Sequence, residues 1–168
     1  SVADNRYDVI RPMKRKGEEV YVGFRDLWKI SVKQLRSGET AMSRLTELKE
    51  ERTSNGNVSN NTMRSLSVGN KGSALISYRE PNLGDVNNKG KLYFTEDISS
   101  SRWIDITNDA VCEGFAVCQW AEVNASEIDP DDPYRFFILA RDVFYQTNSK
   151  VYEMRYWPDS AKCTIREI

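Results

Sequence analysis

The run Asp129-Pro130-Asp131-Asp132 is the densest cluster of carboxylates in the 168-residue chain. Carboxylate oxygens so placed suit a hard cation such as Ca²⁺, but the run lacks the Gly and terminal Glu of an EF-hand loop. It reads as a polar turn between strands, and no metal site is assigned to it. The pairs Glu96/Asp97 and Asp105/Asp109 carry the residue types of a two-carboxylate glycosidase. Nothing in their spacing selects one pair, so an acidic surface accounts for them more simply. The chain contains no histidine. That removes Ser-His-Asp triads, His-ligated metals and a histidine pH switch from the available chemistry. No GxSxG elbow, SxxK pair or Walker loop occurs, and Gly69-Asn70-Lys71-Gly72 reads as a hairpin turn. The expectation is a non-enzymatic protein with no catalytic residue, no cofactor and no evident small-molecule substrate.

Charge is the sharper signal. The formal net charge is only -1, but the charges are segregated. Residues 1–36 hold nine Lys/Arg and five Asp/Glu, a net of +4, whereas residues 95–133 hold one Lys/Arg and ten Asp/Glu, a net of -9. The positive end is concentrated in Arg11, Lys14, Arg15 and Lys16. The acidic candidates are Glu96, Asp97, Asp105, Asp109, Asp129, Asp131 and Asp132. A basic segment on one copy facing an acidic segment on another would attract head to tail, the geometry that generates rings or filaments. The same four cations could neutralise RNA phosphates or rest on an anionic membrane.

The elements that must position these groups are mostly strands. Residues 1–17, with Pro12 and Gly17, read as a flexible basic arm preceding one β-rich domain over 18–168. Val20 to Leu35 is strand-like, Ile30 and Val32 alternating with Ser31 and Lys33, and Ser37-Gly38 ends it. Met42, Leu45 and Leu48 recur every three residues, which predicts one helix over 40–51. The polar stretches 53–62 and 81–90 are loops. Strands are expected at Leu66 to Val68, Ala74 to Tyr78, Lys91 to Thr95, Trp103 to Ile106 and Val111 to Val123. Further strands follow at Tyr134 to Tyr145, Val151 to Trp157 and Cys163 to Ile168. About eight strands and one early helix imply a mainly β or α+β fold, an antiparallel sheet or sandwich.

Cys112, Cys118 and Cys163 make an odd count without a CxxC pair, so reduced, mostly buried thiols are expected. Six residues apart on one strand, Cys112 and Cys118 would be too distant to bridge. Sequons at Asn57, Asn60 and Asn124 are no more than chance provides. No apolar run approaches the roughly 18 residues of a membrane span, and the N-terminus lacks a signal-like apolar core. An intracellular or virion-internal location is expected. Trp103, Trp120 and Trp157 are expected as core or interface anchors, with Trp28 nearer the surface.

Together these point to a self-associating structural or interaction protein, with the texture of a small viral coat or matrix protein. Its basic arm would contact a neighbouring subunit, RNA or an anionic membrane. The alternatives are a monomeric β-barrel or sandwich that binds a glycan or peptide, and a carboxylate-dependent hydrolase.

Overall fold

The computed structural model describes residues 12–23, 26–45, 62–79, 91–100, 102–107, 110–112, 121–142 and 149–168. They form three antiparallel sheets of four strands each, every sheet in plain sequence order. Sheet I comprises β1 (Met13–Lys16), β2 (Glu19–Gly23), β3 (Leu27–Ser31) and β4 (Met42–Arg44). Sheet II comprises β5 (Thr62–Val68), β6 (Ala74–Arg79), β7 (Lys91–Thr95) and β8 (Ile104–Asp105). Sheet III comprises β9 (Ala121–Ile128), β10 (Arg135–Asp142), β11 (Ser149–Trp157) and β12 (Lys162–Glu167). Within each sheet, strands that follow one another in sequence pair antiparallel, so no crossover is needed.

The mainly β antiparallel architecture is as expected, with about twelve strands in place of eight. The helix is elsewhere. Residues 42–44 pair with β3, Met42 opposite Ile30 and Arg44 opposite Trp28, while residues 46–51 lie outside the described residues. The helix α1 (Val32–Ser37) occupies the end of the stretch expected to be extended. Ser31 caps its first turn by accepting from the Gln34 N–H at 3.3 Å. Gly38, at φ +78°, then ends it in the left-handed conformation that glycine adopts without a Cβ penalty. A stripe of three residues at spacing three cannot by itself distinguish a helix from a short strand followed by a bend. Among the described residues, no helix is long and apolar enough to cross a membrane.

The expected flexible arm is also different where it is described. Met13–Lys16 is a strand, paired residue for residue with β2 from Met13/Val22 to Lys16/Glu19. The turn between them has Gly17 at φ +59°. Arg11 and the residues before it lie outside the described residues, as do residues 53–61 and 81–90 of the two expected loops; Thr62, expected at the end of the first, begins β5.

Sheet II is the middle layer, and its sequence shows it. Residues 74–78, Ala-Leu-Ile-Ser-Tyr, are buried without alternation, the mark of a strand covered on both faces. One face carries Leu66, Val68, Ala74, Ile76 and Tyr78, which pack with Tyr21 and Leu27 of sheet I. The other carries Leu75, Leu92 and Phe94, which pack with Phe136, Ile138, Met154 and Tyr156 of sheet III. Phe94 and Phe136 stack with ring centroids 5.6 Å apart. At sheet I the backbone comes so close that a Cβ on Gly23 would run into the Met63 sulfur.

The II–III seam also solves an edge problem. Among the described residues β9 pairs only with β10, so its other edge needs partners for backbone groups turned toward sheet II. Buried serines supply them. The Ser67 hydroxyl accepts from Ile128 N–H at 2.9 Å, and the Ser77 hydroxyl donates to Val123 O at 2.8 Å. Ser65, 2.7 Å from Ser77, accepts from Ser126 at 3.1 Å. Apolar residues there would leave those backbone groups without partners.

Candidate interaction surfaces

Residues opposed across an antiparallel pair share a face, and the pattern alternates along each strand. In sheet I this gives two rows that point away from sheet II. One is Met13, Val22, Trp28 and Arg44; the other is Arg15, Val20, Ile30 and Met42. Met13 is 67% and Met42 49% exposed. Val20, Trp28 and Ile30 are half-buried, and Val22 is buried. Apart from two arginines the face is apolar, and Arg44 is held to Asp26 at 2.8 Å. Arg15 turns back to donate to Gly17 O at 2.9 Å.

The outer face of sheet III is built differently. Phe137, Leu139, Val151 and Trp157 lie among Arg135, Glu153, Arg155 and Arg166. Glu153 accepts from Arg135 Nε at 2.8 Å and from Arg166. Arg135 also meets Asp129 at 3.1 Å and lies 5.1 Å from the Phe137 ring centroid. Arg155 pairs with Asp132 at 2.6 Å and lies 4.7 Å from the Trp157 ring centroid. The two arginines hold the Glu153 carboxyl below the usual carboxylate range. Asp129 is lowered chiefly by the Asp131 N–H, with help from Arg135. The apolar side chains here are roofed by ion pairs.

A third surface is the end of the molecule where the first turn of each sheet meets. Lys16 donates to Gly69 O at 3.1 Å, and Asn70 donates to Pro130 O at 3.3 Å, which tie the three turns together. The Asp97 carboxylate accepts from the Ser99 N–H and hydroxyl at 2.9 and 2.7 Å, and these bonds, with the nearby Lys16 charge, lower it. Tyr21 donates to Glu19 at 2.5 Å and Lys29 pairs with Glu19 at 3.1 Å. The Tyr21 bond comes first among the causes that lower Glu19.

The structure therefore redistributes the residues expected to form a basic arm and an acidic face. Lys14 reaches Glu127 of its own chain at 3.0 Å. Glu96, Asp97, Asp129, Asp131 and Asp132 do gather on the β7–β8 and β9–β10 connections, where Glu96 hydrogen-bonds Tyr134. Asp105 does not join them: it sits on β8, paired with Lys91 at 3.1 Å and bonded to Thr107. Asp109 lies outside the described residues. In the 129–132 turn, Asp129 accepts from Asp131 N–H and Asp132 from Tyr134 N–H, so these oxygens cap the turn. Among the described residues, no group of three or more His, Cys, Asp or Glu is placed to hold a metal ion.

Trp103 packs against the I–II core, whereas Trp157 is 46% exposed beneath Arg155. Trp120 lies outside the described residues. Cys112 and Cys163 are buried free thiols; Cys118 is not described. Asn124 is exposed on β9. The apolar outer face of sheet I is the feature missed in the sequence. Its signal was there: Tyr21 and Leu27 fill one parity while Val20, Val22, Trp28 and Ile30 fill the other, so both faces are apolar.

No family model matches the chain, and no curated protein matches it. Among solved structures, the GH74 xyloglucanase from Xanthomonas campestris superposes with a TM-score of 0.58 at 14% identity. The match covers 88% of this chain and 21% of that one, so the chain spans about a fifth of that protein's length. At that identity the likeness is one of fold alone. Four-stranded antiparallel sheets stacked face to face are the unit that β-propellers repeat radially.

Proposed function

We propose that this chain is a non-catalytic interaction protein that self-associates head to tail, the outer face of sheet I on one copy seating on the outer face of sheet III of the next. The observation that carries this is the two-row apolar face of sheet I, with Met13 and Met42 largely exposed. The stacking order supports this choice of partner face. Sheet I gives one face to sheet II, and sheet II gives its opposite face to sheet III. Among the described residues, the open face of sheet I is thus the side that sheets II and III bury against the preceding sheet, and the open face of sheet III is the side that sheets I and II bury against the following one. A second copy continues the same contact, and heterologous contacts of this kind close into rings or extend into filaments. Apolar burial drives this association, in place of attraction between the basic and acidic segments.

Light scattering after size-exclusion chromatography, over protein and salt concentration, tests it. The expected result is a mass that rises with concentration and persists at high salt. A strict monomer at high concentration overturns the reading. A monomer that is retained by immobilised xyloglucan would replace it with a glycan-binding module.

A further inference from the structure

We infer that Cys112 and Cys163 are a disulfide site, a cross-link that staples the segment before sheet III to the outermost strand of that sheet. The inference is independent of self-association. Residues 110–112 run beside β12. Cys163 N–H donates to Val111 O at 2.7 Å, and Lys162 Nζ donates to Ala110 O. Cys112 and Cys163 themselves form a parallel backbone bridge. Bridged residues on adjacent strands lie ~4.8 Å apart, inside the ~4.4–6.8 Å Cα window of disulfides. Both side chains enter the same II–III core, Cys112 at 0% and Cys163 at 4% exposure. The two thiols hydrogen-bond each other, and that bond together with burial pushes the Cys163 thiol far up.

This geometry fixes when the bond forms. Exchange requires a thiolate, and a buried, raised thiol supplies almost none. The cross-link therefore forms while residues 110–112 are still open during folding, and docking then shields it from reductants. Two S–H bonds break and one Sγ–Sγ bond forms. The two protons and two electrons pass to a disulfide oxidant such as oxidised glutathione, which leaves as two thiols. The link closes a loop from residue 112 to residue 163 that contains all of β9, β10 and β11.

The test is to refold the whole chain with a mixture of oxidised and reduced glutathione, then digest it under non-reducing, thiol-blocked conditions. The expected result is one linked pair of peptides carrying Cys112 and Cys163. One thiol then titrates in denaturant, against three after reduction. Thermal unfolding of the oxidised chain should lie about 10 °C above the reduced chain, the shift expected for a loop of some fifty residues. Cys118→Ser should keep the linked peptides, and Cys112→Ser should abolish the redox-dependent shift. Three titrating thiols after oxidative refolding, or a link through Cys118, would overturn the assignment. The wild-type chain alone decides this, so a variant that does not fold leaves the outcome readable.

Discussion

The two outer faces of the stack both belong to four-stranded antiparallel sheets but present opposite chemistry. Sheet I shows Val20, Trp28, Ile30 and Met42 in adjacent rows with no carboxylate among them. Sheet III covers Phe137 and Trp157 with arginines, which in turn are tied to Glu153, Asp129 and Asp132. An apolar sheet face gains by leaving water; a face whose charges already have partners loses less by remaining in it. In the proposed assembly, this contrast gives the driving force to sheet I and leaves sheet III to set register.

The largest expected effect lies between these faces. Phe94 is fully buried and touches the rings of Phe136, Tyr134 and Tyr156. Phe94→Ala should destabilise by about 3–5 kcal/mol, read from urea unfolding. If sheet I's seam stays folded while the II–III seam opens, two transitions will appear by different probes. One coincident transition shows a single cooperative stack.

Next in size is the effect on assembly. Met42→Lys places an ammonium in the apolar rows of sheet I and should raise the dissociation constant about 30-fold or more, the loss of an interface anchor worth at least ~2 kcal/mol. Val151→Lys does the same from the sheet III side, where Val151 is 39% exposed. A mixture of the two variants sharpens the comparison. Head-to-tail contact predicts that each is monomeric alone and that they form a one-to-one dimer together, through the intact face on each. A self-complementary contact of sheet I with itself predicts no rescue.

How far the sequence reveals this contrast depends on the element. Lys91 to Thr95 coincides with β7, and the turn at 69–72 with the β5–β6 hairpin, because alternation and glycine are local signals. The II–III serine contacts are invisible in sequence, since Ser65, Ser67 and Ser77 look polar until the edge of β9 is set against them. Likewise, Arg11 to Lys16 reads as an arm because strand pairing of a charged segment depends on β2 lying beside it. The carboxylates of 96–132 read as one face because sequence proximity does not show that Asp105 belongs to Lys91 on a neighbouring strand.

Acid separates the faces by a smaller amount. Glu153 and Asp129 are lowered in the folded chain, whereas unfolded carboxylates titrate near ~4. A lowered folded value means stabilisation that is present above ~4 and lost as the pH falls through the folded values. The melting temperature should fall as the pH drops below ~4, with part of the slope removed in Glu153→Gln. Base acts on both seams, because burial also raises Tyr134 and Tyr156 of the II–III seam. Burial raises Tyr21 and Tyr78, so their contribution is present below ~10 and lost as the pH rises above it. Sheet III's near-ultraviolet signals should change in acid, whereas base should perturb both seams.

The smallest effect is expected where the sequence pointed most strongly. Lys14 and Glu127 join the basic and acidic segments within one chain, but their side chains remain 37% and 62% exposed. Exposed pairs of this kind contribute less than about 1 kcal/mol and weaken in salt. A double-mutant cycle of Lys14→Gln and Glu127→Gln should give a coupling below that value, shrinking further at high ionic strength, with the assembly constant unchanged. If Lys14→Gln instead abolishes assembly while the melting temperature holds, attraction between unlike charges drives association, and the apolar face of sheet I does not. The charge asymmetry is then an interface between copies; otherwise it is a local pairing that orients β1 against β9.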